Sequence, residues 1–361
     1  MMRGLAILLV ILVHTAQRVE GDVLLRPFAD YGQMGVQLFF IASAFTLCYS
    51  MDSRNSRNSS KFALRNFYIR RFFRIAPLYY FGIILYFIVT SINTTIWVSN
   101  KNPIDILLNI FLLNGLFETA NNSVVPGGWS IGTEILFYLL FPLLFSIFIR
   151  LQRIFKYAYL VLPLCSLIFS LLIQRIFYIL NSPEEFYNNS FFYYNITNQL
   201  PVFCIGIALY IAYSNELIPK FKKTTCIIFI LLFSLISWYL MSNGQFMESS
   251  YIVIFPFISS ISFVFIFILL QSYSVIKTNF FTRIGIVSYS SYIVHFVFTF
   301  YLTSNLSDLL GFIPSDIRLL IIYCIVVVLT YITSKMFHKY IELYGIKIGR
   351  KLISSLDNRV K

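Results

Sequence analysis

The chain has 361 residues, of which 58% are hydrophobic and only 12% are charged. A soluble domain of this length does not need so much apolar surface, so the composition excludes an ordinary soluble protein and indicates a polytopic membrane protein. The net charge of +13 would suggest a nucleic-acid partner in a soluble chain, but the positions of the basic residues give another explanation.

The first apolar stretch, residues 1–17, carries two ionisable residues, Arg3 and His14. Ten residues separate them, and all but Gly4 are apolar. In a helix this interval spans roughly 16 Å, about half of a bilayer core. An ionisable side chain at that depth is costly, and histidine is the side chain best suited to proton transfer near neutral pH. His14 is therefore either a functional group or a histidine that only hydrogen-bonds a neighbouring helix.

Hydrophobic stretches predict an all-α fold, a single membrane domain over residues 1–361 with ten spans. The predicted spans lie near residues 4–19, 35–50, 76–92, 129–149, 157–180, 199–213, 225–242, 250–272, 286–303 and 317–335. Each is close to the ~17–25 residues that a span needs. A shorter apolar piece, residues 104–117, contains Asp105, Asn109 and Asn114, and we expect an interfacial or re-entrant helix there, on the outer side.

The basic residues predict the orientation of the chain. With the N-terminus inside, 23 of the 28 Lys and Arg residues fall on the cytoplasmic side and five on the outer side. This asymmetry is the positive-inside pattern. It predicts that both termini are cytoplasmic, and it explains the positive charge without a nucleic acid. The five scattered cysteines show no metal-binding spacing, so we expect reduced packing residues and no metal site.

The cytoplasmic loop before the third span ends with Arg71 and Arg74. They are three residues apart, so on a helix they share a face. Two adjacent guanidinium groups can clamp a phosphate. The alternative is that both residues only anchor the span by the positive-inside rule. We expect Arg70 to point elsewhere, toward lipid headgroups.

The fourth span begins with Trp129 and Ser130 and contains Glu134 about a turn and a half from its outer boundary. A carboxylate there must be paired, protonated or facing water. His14 has a similar predicted depth, so the two residues could belong to one buried site. The alternative is a structural pair between two helices.

Two further histidines have neighbours at helical spacing. In the ninth span, Tyr292 lies three residues before His295, which is either a second site residue or a core histidine with satisfied hydrogen bonds. His338 lies four residues before Glu342, and a surface pair at this spacing explains it.

Six segments follow one another in a recognisable order. They are Arg3-x10-His14, Gly35 to Phe45 (GVQLFFIASAF), Arg71-x-x-Arg74, Trp129-Ser130…Glu134…Phe137-Tyr138, Pro201-x-Phe203-x-x-Gly206 and Ser288-Tyr289-Ser290…Tyr292…His295. In this order they resemble the integral-membrane acyltransferase family 3 over essentially the whole chain. Each motif alone is weak, and the order makes the resemblance specific.

The resemblance implies transfer of an acyl group, usually acetyl, from cytoplasmic acyl-CoA (acetyl-CoA) to a carbohydrate hydroxyl at the outer face. The acceptor would be a surface polysaccharide, an O-antigen unit or a lipid-linked sugar, and the location the bacterial inner membrane. The implied site residues are His14, Glu134 and Arg3 as catalytic groups and Arg71 and Arg74 as acyl-CoA contacts. We also expect substrate contacts from Trp129, Ser130, Tyr292 and His295.

The sequence departs from the family pattern in three places. Family members usually have several residues before the Arg-Gly pair, whereas this chain begins Met1-Met2-Arg3, so we expect the natural start to lie upstream. Ala44 stands where glycine is usual and Gln37 where an acid is common, which concerns local helix packing. The chain lacks the periplasmic esterase-like domain of fused members, so we expect any second transfer domain to be a separate protein.

Two other kinds of function fit the same composition. A transporter or flippase for a lipid-linked sugar also has many spans with buried ionisable residues. That function does not explain why Arg71 and Arg74 cluster on the inside while His14 and Glu134 lie at outer depth. A structural or sensory subunit would have no chemistry at His14. The predicted outer loop, residues 181–198, is acidic and aromatic, and its rings could stack on sugars or form an aromatic belt at the headgroups.

Overall fold

The computed structural model describes residues 1–55, 62–92, 102–243, 249–272 and 279–358, and every regular element in these ranges is helical. The helices, in chain order, are α1 (Met2–Ala16), α2 (Arg26–Asp30), α3 (Gly35–Asn55), α4 (Ala63–Ile92), α5 (Pro103–Ile110), α6 (Glu118–Asn121), α7 (Gly128–Ile154), α8 (Ala158–Leu180), α9 (Pro183–Asn188), α10 (Phe191–Tyr194), α11 (Ile196–Ser214), α12 (Lys223–Asn243), α13 (Tyr251–Ser272), α14 (Asn279–Ile286), α15 (Ser288–Tyr301), α16 (Thr303–Leu309), α17 (Ser315–Phe337) and α18 (Leu343–Asn358). The protein is all-α, as the composition predicts.

Within the described residues, eight helical stretches are long and apolar enough to cross a membrane. They are Arg26–Asp52, Ala63–Ile92, Gly128–Ile154, Ala158–Leu180, Phe191–Ser214, Lys223–Asn243, Tyr251–Ser272 and Ser315–Asn358. A further pair, Phe280–Ile286 and Ser288–Leu309, is bent by 84°, and α1 is a shorter apolar helix of 15 residues. The chain is therefore a polytopic membrane protein. Each of the ten predicted spans overlaps one of these elements, but the span expected near residues 286–303 bends at Val287.

Helix α1 lies inside the helix bundle, where it packs against α3, α14, α15 and α17. Its 15 residues make it about 22 Å long, shorter than a ~30 Å bilayer core. Glycines allow backbone contact on both sides. A Cβ atom at Gly4 would lie 2.1 Å from the Phe281 carbonyl oxygen, and one at Gly35 would lie 2.5 Å from the Ala6 carbonyl oxygen. The small residues therefore let α1 approach its neighbours more closely than larger side chains permit.

Stacked aromatic rings form the centre of the contact between α3, α7 and α11. The rings of Phe137 and Phe203 are 3.9 Å apart, and those of Phe40 and Phe203 are 4.4 Å apart. Helices α8 and α12 instead leave most of their apolar surface exposed, as at Leu172 and Ile228. Such a surface is suited to lipid, so these two helices lie at the periphery of the bundle.

Helices α4 and α18 form an antiparallel pair. α17 and α18 continue into one another through a π turn, His338–Glu342, as a stretch of 44 residues that is roughly 66 Å long. This exceeds a ~30 Å bilayer core, so α18 extends past the membrane beside the first turns of α4. Arg65 of α4 pairs with Asp357 near the end of α18.

The structure corrects two local predictions. Residues 104–117 form the short helix α5 followed by a turn at Leu112, whose φ is +60°, rather than one helix. The pair of His338 and Glu342 exists, with Nδ1 and Oε2 2.9 Å apart, but Glu342 is buried and also accepts a hydrogen bond from Ser290. It is therefore an interior contact, not a surface pair. Lys101 and the loop residues 56–61 lie outside the described residues.

The close approach at Gly35 gives a stability prediction. Gly35→Ala would place a Cβ atom against the backbone of α1, and such overpacking costs about 1–3 kcal/mol. Gly82→Ala is the matched control, because its Cβ atom would meet the Ile293 side chain at 3.2 Å. In detergent, the unfolding temperature of Gly35→Ala is expected to fall several degrees below that of Gly82→Ala. Equal unfolding temperatures would contradict the close packing of α1.

Candidate active site

The C-terminal end of α1 opens into a cavity of about 300 Å³, here named the His14 cavity. Its polar and aromatic wall is formed by His14, Gln17, Arg18, Gln33, Asn122, Trp129, Tyr193, Tyr194, Tyr292, Phe296 and Phe300. The His14 side chain is half-buried, so its ring contacts both the bundle and the cavity.

Gln17 determines the orientation of the His14 ring. The two residues are one turn apart, and His14 Nδ1 lies 3.1 Å from Gln17 Oε1. An amide oxygen only accepts, so Nδ1 carries the proton and Nε2 keeps its lone pair. The ring also packs 4.5 Å from Phe296. When the imidazole is neutral, this arrangement orients Nε2 as an acceptor nitrogen, which is what a general base needs.

The opposite end of α1 contributes to a second, tighter cavity of about 50 Å³, here named the Arg3 cavity. Arg3, Arg74 and Glu134 all line it, so two cations and one carboxylate share a small volume. Glu134 Oε1 accepts hydrogen bonds from Ser43 and from Tyr138. The carboxylate is therefore held by hydroxyl groups as well as by the nearby positive charge.

Tyr292 and Val36 line both cavities and form the partition between them. The Tyr292 hydroxyl accepts a hydrogen bond from Ser130 Oγ at 2.8 Å and donates to the Gly127 carbonyl oxygen at 3.1 Å. Gly127 has φ +72°, and a Cβ atom there would lie 2.9 Å from the Tyr292 hydroxyl. Only glycine fits this backbone conformation and this contact without strain.

The partition changes the predicted relation between His14 and Glu134. They line different cavities, and the hydrogen bonds of Glu134 go to Ser43 and Tyr138. Gln17, not Glu134, orients the imidazole. The expectation of one shared buried site is therefore corrected to two adjoining cavities, with Arg3 and His14 at the two ends of one helix.

A cluster of arginines lies beyond the Arg3 cavity. Arg70, Arg71 and Arg74 of α4 and Arg350 of α18 line a pocket of about 150 Å³, here named the arginine pocket. Arg74 also lines the Arg3 cavity, so the two spaces adjoin at this side chain. The expectation that Arg70 points away from Arg71 and Arg74 is wrong, since all three contribute to the same wall.

Aromatic rings form one side of the His14 cavity. The rings of Trp129 and Tyr194 are stacked 4.3 Å apart, and Tyr193 lies beside them. The loop of residues 102–127 holds the first turn of α7 in place: the Asn114 amide donates to the Gly128 carbonyl oxygen at 3.0 Å. The segment before α11 is folded over the cavity and contributes part of its wall, with Phe186 buried.

His295 lies behind the site and does not line either cavity. Its Nδ1 is 2.8 Å from the Tyr292 carbonyl oxygen, and its ring is 5.5 Å from the ring of His14. Within the described residues, Nε2 has no hydrogen-bond partner. His295 supports the position of His14 through ring contact, while Trp129, Ser130 and Tyr292 of the predicted set face the cavities.

Several residues of the site were missed by sequence reasoning. Gln17 could have been found, because it lies one turn after His14. Tyr138 lies one turn after Glu134 and gives the same kind of signal. Ser43 and Arg350 have no local signal, since helix packing alone brings them to Glu134 and to Arg74. Gln37 is buried and donates to the Tyr193 hydroxyl at 2.9 Å, so this departure from the family pattern supports the aromatic wall.

These features define an all-helical membrane protein with ionisable groups in adjoining buried cavities. The chain matches the model of the acyltransferase-3 family, described as an acyltransferase domain, over residues 1–335. It belongs to that family and is a membrane acyltransferase.

An uncharacterized protein of Haemophilus influenzae is 27% identical over 195 residues, which cover 50% of this chain and 76% of that protein. No solved structure matches the chain. The family match supports acyl-transfer chemistry.

The contact between Gln17 and His14 predicts a graded effect on acyl transfer. Gln17→Leu removes the acceptor for Nδ1–H and frees the ring to turn, so we expect about a 10- to 100-fold lower rate. Gln17→Glu keeps an acceptor at that position and should retain more activity. Rates are measured in membranes with matched protein amounts. Equal rates for Gln17→Leu and the unmodified protein would contradict the orienting role.

Proposed function

We propose that this membrane acyltransferase moves a short acyl group, most simply acetyl, from cytoplasmic acyl-CoA to a hydroxyl of a cell-surface or lipid-linked carbohydrate. The supporting observation is the succession of three spaces. The arginine pocket adjoins the Arg3 cavity at Arg74, and the Arg3 cavity adjoins the His14 cavity at Tyr292 and Val36. A long, thin donor with phosphates at one end and a thioester at the other has the shape that such a series of sites can bind.

The donor would enter from the arginine pocket. Guanidinium groups of Arg71 and Arg74 suit the phosphates of coenzyme A, because each can form paired hydrogen bonds with phosphate oxygens. Arg3 lies in the next cavity along the same line and would bind or neutralise the donor there. For the thioester to reach His14, the Tyr292 side chain must turn away from Ser130, since it forms the partition.

The reaction itself would take place at His14. Nε2 of His14 takes the proton of the acceptor hydroxyl while the hydroxyl oxygen attacks the carbonyl carbon of the thioester. The carbon–sulfur bond of the thioester then breaks. The proton passes from His14 to the departing thiolate, which leaves as free coenzyme A. A second form of the mechanism uses Nε2 as a transient acyl carrier. Both forms need the lone pair that the Gln17 contact leaves on Nε2.

The acceptor would occupy the His14 cavity. Stacked aromatic rings such as Trp129 and Tyr194 suit the apolar faces of sugar rings, and Gln33 and Asn122 can hydrogen-bond hydroxyl groups. With both termini in the cytoplasm, as the basic residues predict, this cavity faces the outer side of the bacterial inner membrane. Donor and acceptor then meet across the short helix α1.

His14 gives the direct test of the proposal. His14→Ala removes the base, and the transfer of labelled acetyl from acetyl-CoA to membrane glycan should fall by about 10²- to 10⁴-fold. Leu172→Ala, at an exposed position on the peripheral helix α8, lines none of the three spaces, so it is the control and should keep its activity. Mass spectrometry of surface glycans, with and without the gene, should show the loss of one acyl mass.

Three outcomes of this test would count against the proposal. Transfer at the parental rate by His14→Ala would exclude His14 as the general base. Absence of label on any glycan, together with loss of a lipid-linked sugar from the outer leaflet in His14→Ala, would favour the transporter or flippase. An unchanged glycan mass on deletion of the gene would exclude acylation of a surface glycan.

Arg74 gives a separate test of the donor site. Arg74→Ala should weaken the binding of acetyl-CoA to purified protein by about 10-fold, the loss expected for a hydrogen bond to a charged group. Arg74→Lys should restore only part of the affinity, because an ammonium group lacks the planar fork. Arg150→Ala, at an exposed position on α7, is the matched control. The same affinity in both alanine variants would leave Arg74 as a membrane anchor only.

A further inference from the structure

Helix α18 contributes to the arginine pocket although it lies outside the residues that the family model matches, 1–335. Two glycines let it contact α4 directly. A Cβ atom at Gly345 would lie 2.6 Å from the Phe73 carbonyl oxygen, and one at Gly349 would lie 2.8 Å from Phe73 Cβ. At Gly345 the contact is between backbones, and at Gly349 the helix backbone lies against the Phe73 side chain. Together these contacts fix the position of the residue that follows Gly349.

Polar contacts hold both ends of α18 in register with the bundle. At its start, the buried Glu342 accepts hydrogen bonds from Ser290 of α15 and from His338. At its end, Asp357 pairs with Arg65 and accepts a hydrogen bond from Asn66 at 3.3 Å. The helix is thus anchored at both ends, and Arg350 lies between the anchors.

The arginine pocket concentrates positive charge. Four arginines line it, three from α4 and Arg350 from α18, together with Phe73 and Ile346. None of these lining residues is acidic. Cations in so small a volume repel one another, so the arrangement favours a ligand that carries several negative charges. Arg350 is exposed, so its side chain is accessible to a ligand from the surrounding water.

Coenzyme A carries phosphate at two places, and the arginines line the pocket from two different helices. Arg74 also lines the Arg3 cavity, so it lies at the end nearest to the reacting thioester. Arg350 is on the other helix and, like Arg70 and Arg71, does not line the Arg3 cavity. In coenzyme A the diphosphate lies nearer to the sulfur, and the phosphate on the 3′ position of the ribose lies farther from it.

We propose that Arg350 of α18 binds the ribose 3′-phosphate of the acyl-CoA donor, while the arginines of α4 bind the diphosphate. The inference rests on the proposed use of acyl-CoA. It makes α18 a specificity element, because the helix lets the protein distinguish coenzyme A from its 3′-dephospho form. Lipid headgroups carry phosphate too, but they have no ribose 3′-phosphate, so a comparison of the two coenzymes separates these ligands.

The test measures equilibrium binding of acetyl-CoA and acetyl-3′-dephospho-CoA to the purified full chain, which needs no acceptor. The unmodified protein should bind the dephospho compound about 10-fold more weakly. Arg350→Gln should lose about 10-fold in affinity for acetyl-CoA and almost none for the dephospho compound. Lys351→Gln, the next residue on the same exposed helix, should bind both compounds as the unmodified protein does.

The possible failures can be told apart. Equal binding of the two coenzymes by the unmodified protein, or equal losses for both in Arg350→Gln, would overturn the role of Arg350 and leave the proposed reaction intact. No binding of acetyl-CoA at all by the folded, unmodified protein would overturn both proposals. Unfolding temperatures in detergent show that Arg350→Gln and Lys351→Gln are folded to the same degree.

Discussion

The structure depends on one short buried helix that carries a polar residue at each end. α1 has 15 residues, about 22 Å in length, and a bilayer core is ~30 Å thick. The bundle therefore cannot be sealed by α1 alone, and a cavity lies at each of its ends. Arg3 and His14 tolerate the membrane interior because each faces one of these cavities rather than lipid. Small residues such as Gly4 and Gly35 keep the helix in contact with its neighbours.

The two cavities separate two kinds of chemistry. The Arg3 cavity combines cations with the Glu134 carboxylate, and the His14 cavity combines an oriented imidazole with stacked aromatic rings. Between them lies the hydroxyl of Tyr292, which hydrogen-bonds Ser130 and the Gly127 carbonyl oxygen. The proposed phosphate-rich donor and sugar acceptor would need such different surroundings, since one would be recognised by charge and the other by ring faces and hydroxyl groups.

The arginines at the predicted cytoplasmic surface fit the positive-inside pattern and also line one pocket. A positive-inside bias accounts for basic residues there, but it does not explain why Arg70, Arg71, Arg74 and Arg350 converge on one pocket. A bound anion would stabilise this convergence of like charges. The long pair of α4 and α18, held by glycine contacts and by the Arg65–Asp357 pair, supplies the rigid frame for this convergence.

The sequence by itself determined the class of protein, the approximate spans and the family, because apolar stretches and charge bias are local properties of the chain. It also identified His14, Arg3, Arg71, Arg74 and Glu134 as ionisable residues in unusual positions. Only the tertiary structure decided which of them lie together. Glu134 was expected beside His14 because the two residues have a similar predicted depth, but it lies with Arg3 and Arg74. Depth along a span does not specify the direction in which a side chain points. Likewise, Arg350 reaches Arg74 through the packing of two helices that are far apart in the chain, and no local pattern encodes such a contact.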